Sequence, residues 1–235
     1  MALFERTDTE LDLEVLIDLD ASASEEAIVR LVSLEACVWV NPVADRGFHA
    51  HEAVVATLLP LEANAGGGAM TAMIGFDRAQ LDDLVAATDG VSIANDNSDA
   101  QVVISGSPEA VERVSGAVKC KRAIPLAVSG AFHSPFMAQA AERFAAELDN
   151  VPFLDARVPV LSNSAASAST SADELKQRLK QQMTTGVRWR VTLAAMTDNG
   201  VDTLVEIGPG NVLSGLAKRS MSGVTTAQIL SLIHI

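Results

Sequence analysis

Between residues 67 and 128 the apolar positions alternate between two periodicities. Apolar runs at Ala69–Ile74, Val91–Ala94, Gln101–Ser105 and Arg122–Val128 have the length and bounding residues of strands. Between them, Arg78–Ala87 and Pro108–Ala117 repeat apolar residues at helical spacing. The predicted order is β-α-β-β-α-β. The cluster Asn95-Asp96-Asn97-Ser98-Asp99 predicts the turn joining the two middle strands. Ser107-Pro108-Glu109 predicts the start of the second helix, with a serine cap and Pro at the first helical position, where its missing N–H costs nothing.

That order is the one of a ferredoxin-like unit. Beyond it the period becomes mainly helical. Pro135–Leu148 reads as a helix, Val158–Leu161 as a short strand and Ser162–Ser171 as a Ser/Ala-rich loop. Helices over Ala172–Met183 and Val191–Thr197 follow, then a strand over Thr203–Ile207, the turn Gly208-Pro209-Gly210 and a helix over Val212–Lys218. These pieces predict part of a second, larger α/β layer structure, so the fold class is α/β. Residues 1–66 carry less pattern: Leu11–Asp20 alternates like a strand for part of its length, and Ser24–Val32 reads as a capped helix. Ala65-Gly66-Gly67-Gly68-Ala69 reads as a flexible joint.

Hydrophobic residues make up 49% of the 235 positions, enough for a buried core and too many for a disordered chain. No apolar run reaches the roughly 18–20 residues of a membrane span, and no basic segment leads into an apolar one at the N-terminus, so a cytoplasmic protein is expected. Cys37 and Cys120 stand far apart without a Cys-Xaa-Xaa-Cys or Cys/His cluster, which excludes a zinc or disulfide framework built on them. The pair His49 and His51 has no further ligand at metal-binding spacing, and no metal is expected. A net charge of −13 argues against nucleic acid as partner. The charge is uneven: residues 1–66 hold 13 acidic and 3 basic side chains, and the rest hold 17 and 14, so the two parts differ in character.

The residue best placed for chemistry is His133, in Ser129-Gly130-Ala131-Phe132-His133-Ser134-Pro135. It follows a predicted strand and precedes a helix that Pro135 can open, and catalytic side chains concentrate at such corners. Imidazole exchanges a proton near neutral pH. Four further motifs lie around it: Ile93-Ala94-Asn95-Asp96-Asn97-Ser98, Gln101-Val102-Val103-Ile104-Ser105-Gly106, Pro159-Val160-Leu161-Ser162-Asn163 and Glu206-Ile207-Gly208-Pro209-Gly210-Asn211-Val212-Leu213. In order and spacing the five motifs resemble the malonyl-CoA:acyl carrier protein transacylase family of fatty-acid synthesis, over roughly residues 67–219.

The resemblance implies a ferredoxin-like small subdomain beside the C-terminal part of an α/β-hydrolase-like acyltransferase subdomain. It implies transfer of a malonyl group from malonyl-CoA to the thiol of acyl carrier protein, without metal or organic cofactor. His133 is then the general base for a nucleophilic serine, and the main-chain carbonyl of Gln182 orients its ring. Gln182 stands seven residues before Trp189, in a segment where Gly186 replaces the family's usual Pro. Phe132 is implied to fill the space an α-methyl branch would need, and Asn97 and Asn163 to line the cleft. An acidic carrier calls for a basic docking face, for which Lys176, Arg178, Lys180, Arg188, Arg190, Lys218 and Arg219 are the candidates.

The chain departs from the family in one decisive respect. No Gly-Xaa-Ser-Xaa-Gly occurs among its 235 residues, the family's Gly-Gln-Gly-Ser-Gln segment is absent, and neither Arg30 nor Arg46 has the context of the carboxylate-binding arginine. The resulting expectation is an inactive fragment. Residues 1–66 are unassigned, 67–128 form the small subdomain, 129–225 the C-terminal half of the large one, and 226–235 an artefactual tail. Two alternatives stand beside it: a non-catalytic module that binds acyl carrier protein, and the acyltransferase domain of a polyketide synthase.

Overall fold

A computed structural model describes residues 14–20, 28–34, 67–128, 130–156, 158–207 and 211–229. Strands β1 (Glu14–Asp20) and β2 (Ile28–Leu34) are described through their backbone pairing.

Residues 67–128 carry β3 (Ala69–Ile74), α1 (Arg78–Ala86), β4 (Val91–Ser98), β5 (Gln101–Gly106), α2 (Pro108–Ala117) and β6 (Arg122–Pro125). Along the chain these elements follow the predicted β-α-β-β-α-β order, and the strands form one antiparallel sheet in the order β4-β5-β3-β6. Strand alternation gives this sheet two apolar faces. Met73, Val102 and Ile104 point to the helices and pack with Leu81, Val111, Val114 and Val118. Met70, Ala72, Ala94 and Val103 form a second cluster on which Leu126, Val128 and Phe132 lie. Both helices start as their caps dictate: Asp77 accepts from Gln80 N at 3.1 Å, and Ser107 accepts from Ala110 N at 3.2 Å with Pro108 in the first turn.

The expected turn at Asn95–Asp99 is a correction. Strand β4 continues through Ser98, with register irregularities between Ile93 and Asn95 and between Asp96 and Ser98, and only Asp99 and Ala100 remain for the turn. The polar residues have turn chemistry, but pairing with β5 recruits them into the sheet, and the bulges absorb the misfit.

The second sheet has six strands in the order β10-β9-β2-β1-β7-β8, with β7 at Val160–Ser162, β8 at Ala165–Ser169, β9 at Thr203–Ile207 and β10 at Thr225–Ile229. β9 runs parallel to β2 and β10, and the other pairs are antiparallel. Helices α3 (Ala138–Asp149), α4 (Ala172–Gln181), α5 (Trp189–Asp198) and α6 (Val212–Ser220) accompany it. Leu161, Val187, Trp189, Leu193, Met196, Leu204, Leu213 and Leu216 make one buried cluster, and Met137, Phe144, Leu148, Leu179 and Met183 make another between α3 and α4.

Two expectations fail here, and one element was not expected. Residues 28–32, read as part of a helix, lie in β2, where β-branched Ile28, Val29 and Val32 suit a strand held between two neighbours; residues 21–27 of that reading lie outside the described residues. The Ser/Ala-rich loop contains β8, because pairing with β7 outweighs weak local propensity. β10 matches no predicted element, and it takes in residues 226–229 of the expected tail; residues 230–235, Cys37, His49 and His51, Arg30 and Arg46 side chains, and Gly208-Pro209-Gly210 lie outside what is described. Among the described residues no helix is long and apolar enough to cross a membrane, and no three potential metal ligands come together.

Leu81 is fully buried between α1 and the sheet. Leu81→Ala is expected to cost about 2–5 kcal/mol of stability, read as a lower denaturation midpoint in urea at unchanged slope.

Candidate active site

His133 stands at a corner held by its neighbours. The Ser134 hydroxyl donates to Ala131 O at 2.6 Å and accepts from Phe136 N at 3.3 Å, and Met137 N donates to Ser134 O at 3.0 Å. A short 3₁₀ turn over Pro135–Met137 therefore leads into α3, as the serine–proline pair predicts. Gly68 lies beneath the corner, and a Cβ there would fall 2.2 Å from Ala131 N. His133 has φ 54°, the left-handed region that His enters more readily than most side chains. This backbone turn accompanies an inward-pointing imidazole that is only 5% exposed.

His133 Nδ1 lies 2.9 Å from the main-chain oxygen of Gln182. A carbonyl only accepts, so Nδ1 carries the hydrogen, and the tautomer this selects has its lone pair at Nε2. The source of that carbonyl lies in helix geometry. Gln182 ends α4, and the last carbonyls of a helix have no partner within it. The imidazole supplies the missing donor. α4 itself is tied down by Arg178, buried against β8, which donates to Ser167 O and Oγ and to Glu174. Hydrogen bonds from Ser169 and Arg178 hold the Glu174 carboxyl below its ordinary pKa.

The chain leaving Gln182 is stitched to both neighbours. Val187 N donates to Ala94 O at 2.7 Å and Asp96 N to Val187 O at 2.8 Å, which fastens the segment to β4, while Arg188 N donates to Asn163 O at 3.1 Å. Gly186 passes so close to β4 that a Cβ would sit 2.3 Å from Ile93 O, which accounts for glycine at this position in this chain.

The structure thus brings His133 and Gln182 into direct contact. Phe132 is half-buried beside them, touching both the β3–β5 face and the α3–α4 cluster, so it closes the seam between them. Asn163 is buried and meets the segment through its main chain. Asn97 is half-buried at the second irregularity of β4 and is a strand residue, not a turn residue.

The basic candidates divide. Arg178 is buried; Lys176 donates to Asp149 O and Val151 O and lies over Phe153; Lys180 pairs with Asp149, whose carboxyl its hydrogen bond holds below the usual range. Arg188, Lys218 and Arg219 are exposed. The carboxylate of Asp96 binds Arg190 at 3.0 and 3.1 Å and Arg78 at 2.6 Å, and this hydrogen bonding raises the Arg190 guanidinium above its ordinary value.

Sequence reasoning missed two residues: Asp96 as an ion-pair hub and Glu206 as a buried cap. Glu206, at the end of β9, is fully buried and accepts from Leu213 N at 3.2 Å and Ser214 N at 2.9 Å, satisfying the first N–H groups of α6. A carboxylate a few residues before a predicted helix was the available signal.

A buried imidazole whose Nδ1 meets a main-chain carbonyl, in the loop between β6 and the turn that leads into α3, leaves Nε2 able to accept a proton. The chain belongs to the family described as acyl transferase domain, whose model matches residues 48–234. It is 49% identical over 158 residues to the malonyl CoA-acyl carrier protein transacylase of Synechocystis, covering 67% of this chain and 54% of that protein. The solved structure of the Synechocystis malonyl-CoA:ACP transacylase superposes with a TM-score of 0.74 at 42% identity, covering 85% of this chain and 66% of that one. A malonyl-transacylase solved in complex with its type II PKS acyl-carrier protein gives a TM-score of 0.66 at 36% identity, over 80% of this chain and 60% of that one. The chain spans about half the length of the curated relatives it matches.

Glu206→Gln puts an amide NH2 against one of the two helix N–H donors, and is expected to cost about 1–3 kcal/mol, measured as a lower denaturation midpoint.

Proposed function

We propose that this chain is the general-base portion of a malonyl-CoA:acyl carrier protein transacylase of fatty-acid biosynthesis. The single observation that carries this is the His133 Nδ1–Gln182 O hydrogen bond, which prepares Nε2 to accept a proton. The names of the relatives support malonyl-CoA as donor and acyl carrier protein as acceptor.

In the reaction, His133 Nε2 takes the proton of a serine hydroxyl as the serine oxygen attacks the malonyl thioester carbonyl. The C–S bond breaks, and the imidazolium returns the proton to the departing coenzyme A thiolate. In the second half, Nε2 takes the proton of the carrier's thiol, the thiolate attacks the acyl-serine, and the proton goes back to the serine oxygen. The Gln182 carbonyl stabilises the imidazolium in both halves through Nδ1–H. Phe132 bounds the acyl site and disfavours an α-methyl branch by about 1–3 kcal/mol. Asn97 and Asn163 border the cleft. Residues 67–128 serve as the small unit and 129–225 as the part of the larger unit that bears the base.

No nucleophile elbow occurs among the 235 residues, so the chain alone is not expected to turn over. Intact-mass measurement after incubation with malonyl-CoA should show no malonyl adduct on the purified chain; a stoichiometric adduct would refute this part. Residues 67–225 grafted in place of the matching segment of the Synechocystis relative should support malonyl transfer to acyl carrier protein. His133→Ala in that graft should lower the rate by about 10²–10⁴-fold, and retention of the rate would refute the base assignment.

A further inference from the structure

The Gln182 carbonyl ends a helix, and helix ends fray because their last carbonyls lack intrahelical partners. Gln182 still has helical dihedrals and its N–H bonds to Arg178 O at 3.1 Å, so α4 aims that carbonyl. The next residues along the chain anchor the helix end that carries it. Thr184 N bonds back to Gln181 O at 3.1 Å and Thr185 Oγ1 to the same oxygen at 2.9 Å, so the chain turns tightly and then runs along β4 from Gly186. Ala94 and Asp96 both fasten the segment to β4: Val187 N donates to Ala94 O, Asp96 donates its main-chain N–H to Val187 O, and the Asp96 carboxylate alone adds a side-chain tie, taking Arg190 with both oxygens. Arg190 lies in the first turn of α5, so the same grip sets the start of that helix.

We propose that Asp96 is a positioning residue for the His133 base: it grips Val187 and Arg190 and so holds the Gln182 carbonyl on the imidazole. The proposal rests on the reading of His133 as base. It assigns Asp96 no contact with substrate. Two features distinguish the grip from ordinary surface pairing. The Asp96 side chain is only 18% exposed, and both of its oxygens engage Arg190: Nε–H is shared between Oδ1 and Oδ2 at 3.1 and 3.0 Å, and Nη2 lies 2.9 Å from Oδ2. Asp96 also binds Arg78 of α1, which lies outside the segment that ends at Gln182. That second pair supplies an internal control. Losing Arg78 removes an ion pair from the same carboxylate without releasing Val187 or Arg190.

The test uses the full 235-residue chain labelled with ¹⁵N-histidine, with the His133 ring signals assigned by their loss in His133→Gln. Long-range ¹H–¹⁵N spectra at neutral pH read the tautomer of the ring and the exchange rate of Nδ1–H. The unmodified chain is expected to show the Nδ1–H tautomer with slow exchange. Asp96→Asn and Arg190→Ala should each speed that exchange by about tenfold or more and shift the ring toward Nε2–H, while Arg78→Ala leaves it unchanged. Arg190→Lys, which keeps the charge, should fall between. Arg190 is partly exposed, so its variant tests the proposal even where Asp96→Asn does not fold.

A folded Arg190→Ala or Asp96→Asn protein with unchanged His133 signals overturns the proposal and leaves the base assignment standing. So does an Arg78→Ala effect as large as that of Arg190→Ala. An unmodified chain without the Nδ1–H tautomer overturns both readings together.

Discussion

The close approach of residues 186–188 to strand β4 is the constraint on which the rest of the arrangement depends. In this chain glycine at 186 permits it, because a Cβ there would sit 2.3 Å from Ile93 O. Once the backbones are this near, Val187 exchanges hydrogen bonds with Ala94 and Asp96 and becomes a one-residue continuation of the sheet. The segment is then trapped between β4 on one side and Asn163 on the other. Its upstream end carries the Gln182 carbonyl, and its downstream end opens α5, whose Trp189, Leu193 and Met196 fill the larger core. One contact between two units thereby sets both a site atom and a core helix.

The site uses leftovers of regular structure. Every helix ends with carbonyls that lack internal donors, and every helix begins with N–H groups that lack acceptors. Here one such carbonyl takes the His133 ring, and one such pair of N–H groups takes the Glu206 carboxylate. Both pairings are buried, where an unpaired partner would be costly. A main-chain carbonyl also has an advantage over a carboxylate as the ring's partner. It has no proton to gain or lose, so it orients the imidazole without a second titration coupled to it.

Phe132 shows how packing and chemistry share residues. It touches the β3–β5 face and the α3–α4 cluster, so its ring belongs to the core while its neighbour in sequence, His133, points its imidazole to Gln182. The same double use appears in β4, whose two irregularities bend a strand that carries both Asn97 and the Asp96 hub.

Patterns along the chain were enough to predict the element order of residues 67–128, the Ser107 cap and the candidacy of His133. These are local matters: apolar alternation, a serine before a helix, a proline after a histidine at a corner all act through neighbours a few residues away. Even Gln182 was reachable through the spacing of a family motif. Long-range packing settled the points that local rules left open or misjudged. Asn95–Ser98 has the composition of a turn, yet pairing with β5 draws it into a strand. Ile28–Val32 lies in a strand because β1 and β9 flank it. The ion pair of Asp96 with Arg190 spans 94 residues, and the bond from His133 to Gln182 spans 49. Contacts at such separations exist only after the chain has closed the intervening loops, and no local pattern encodes which distant partner will be there.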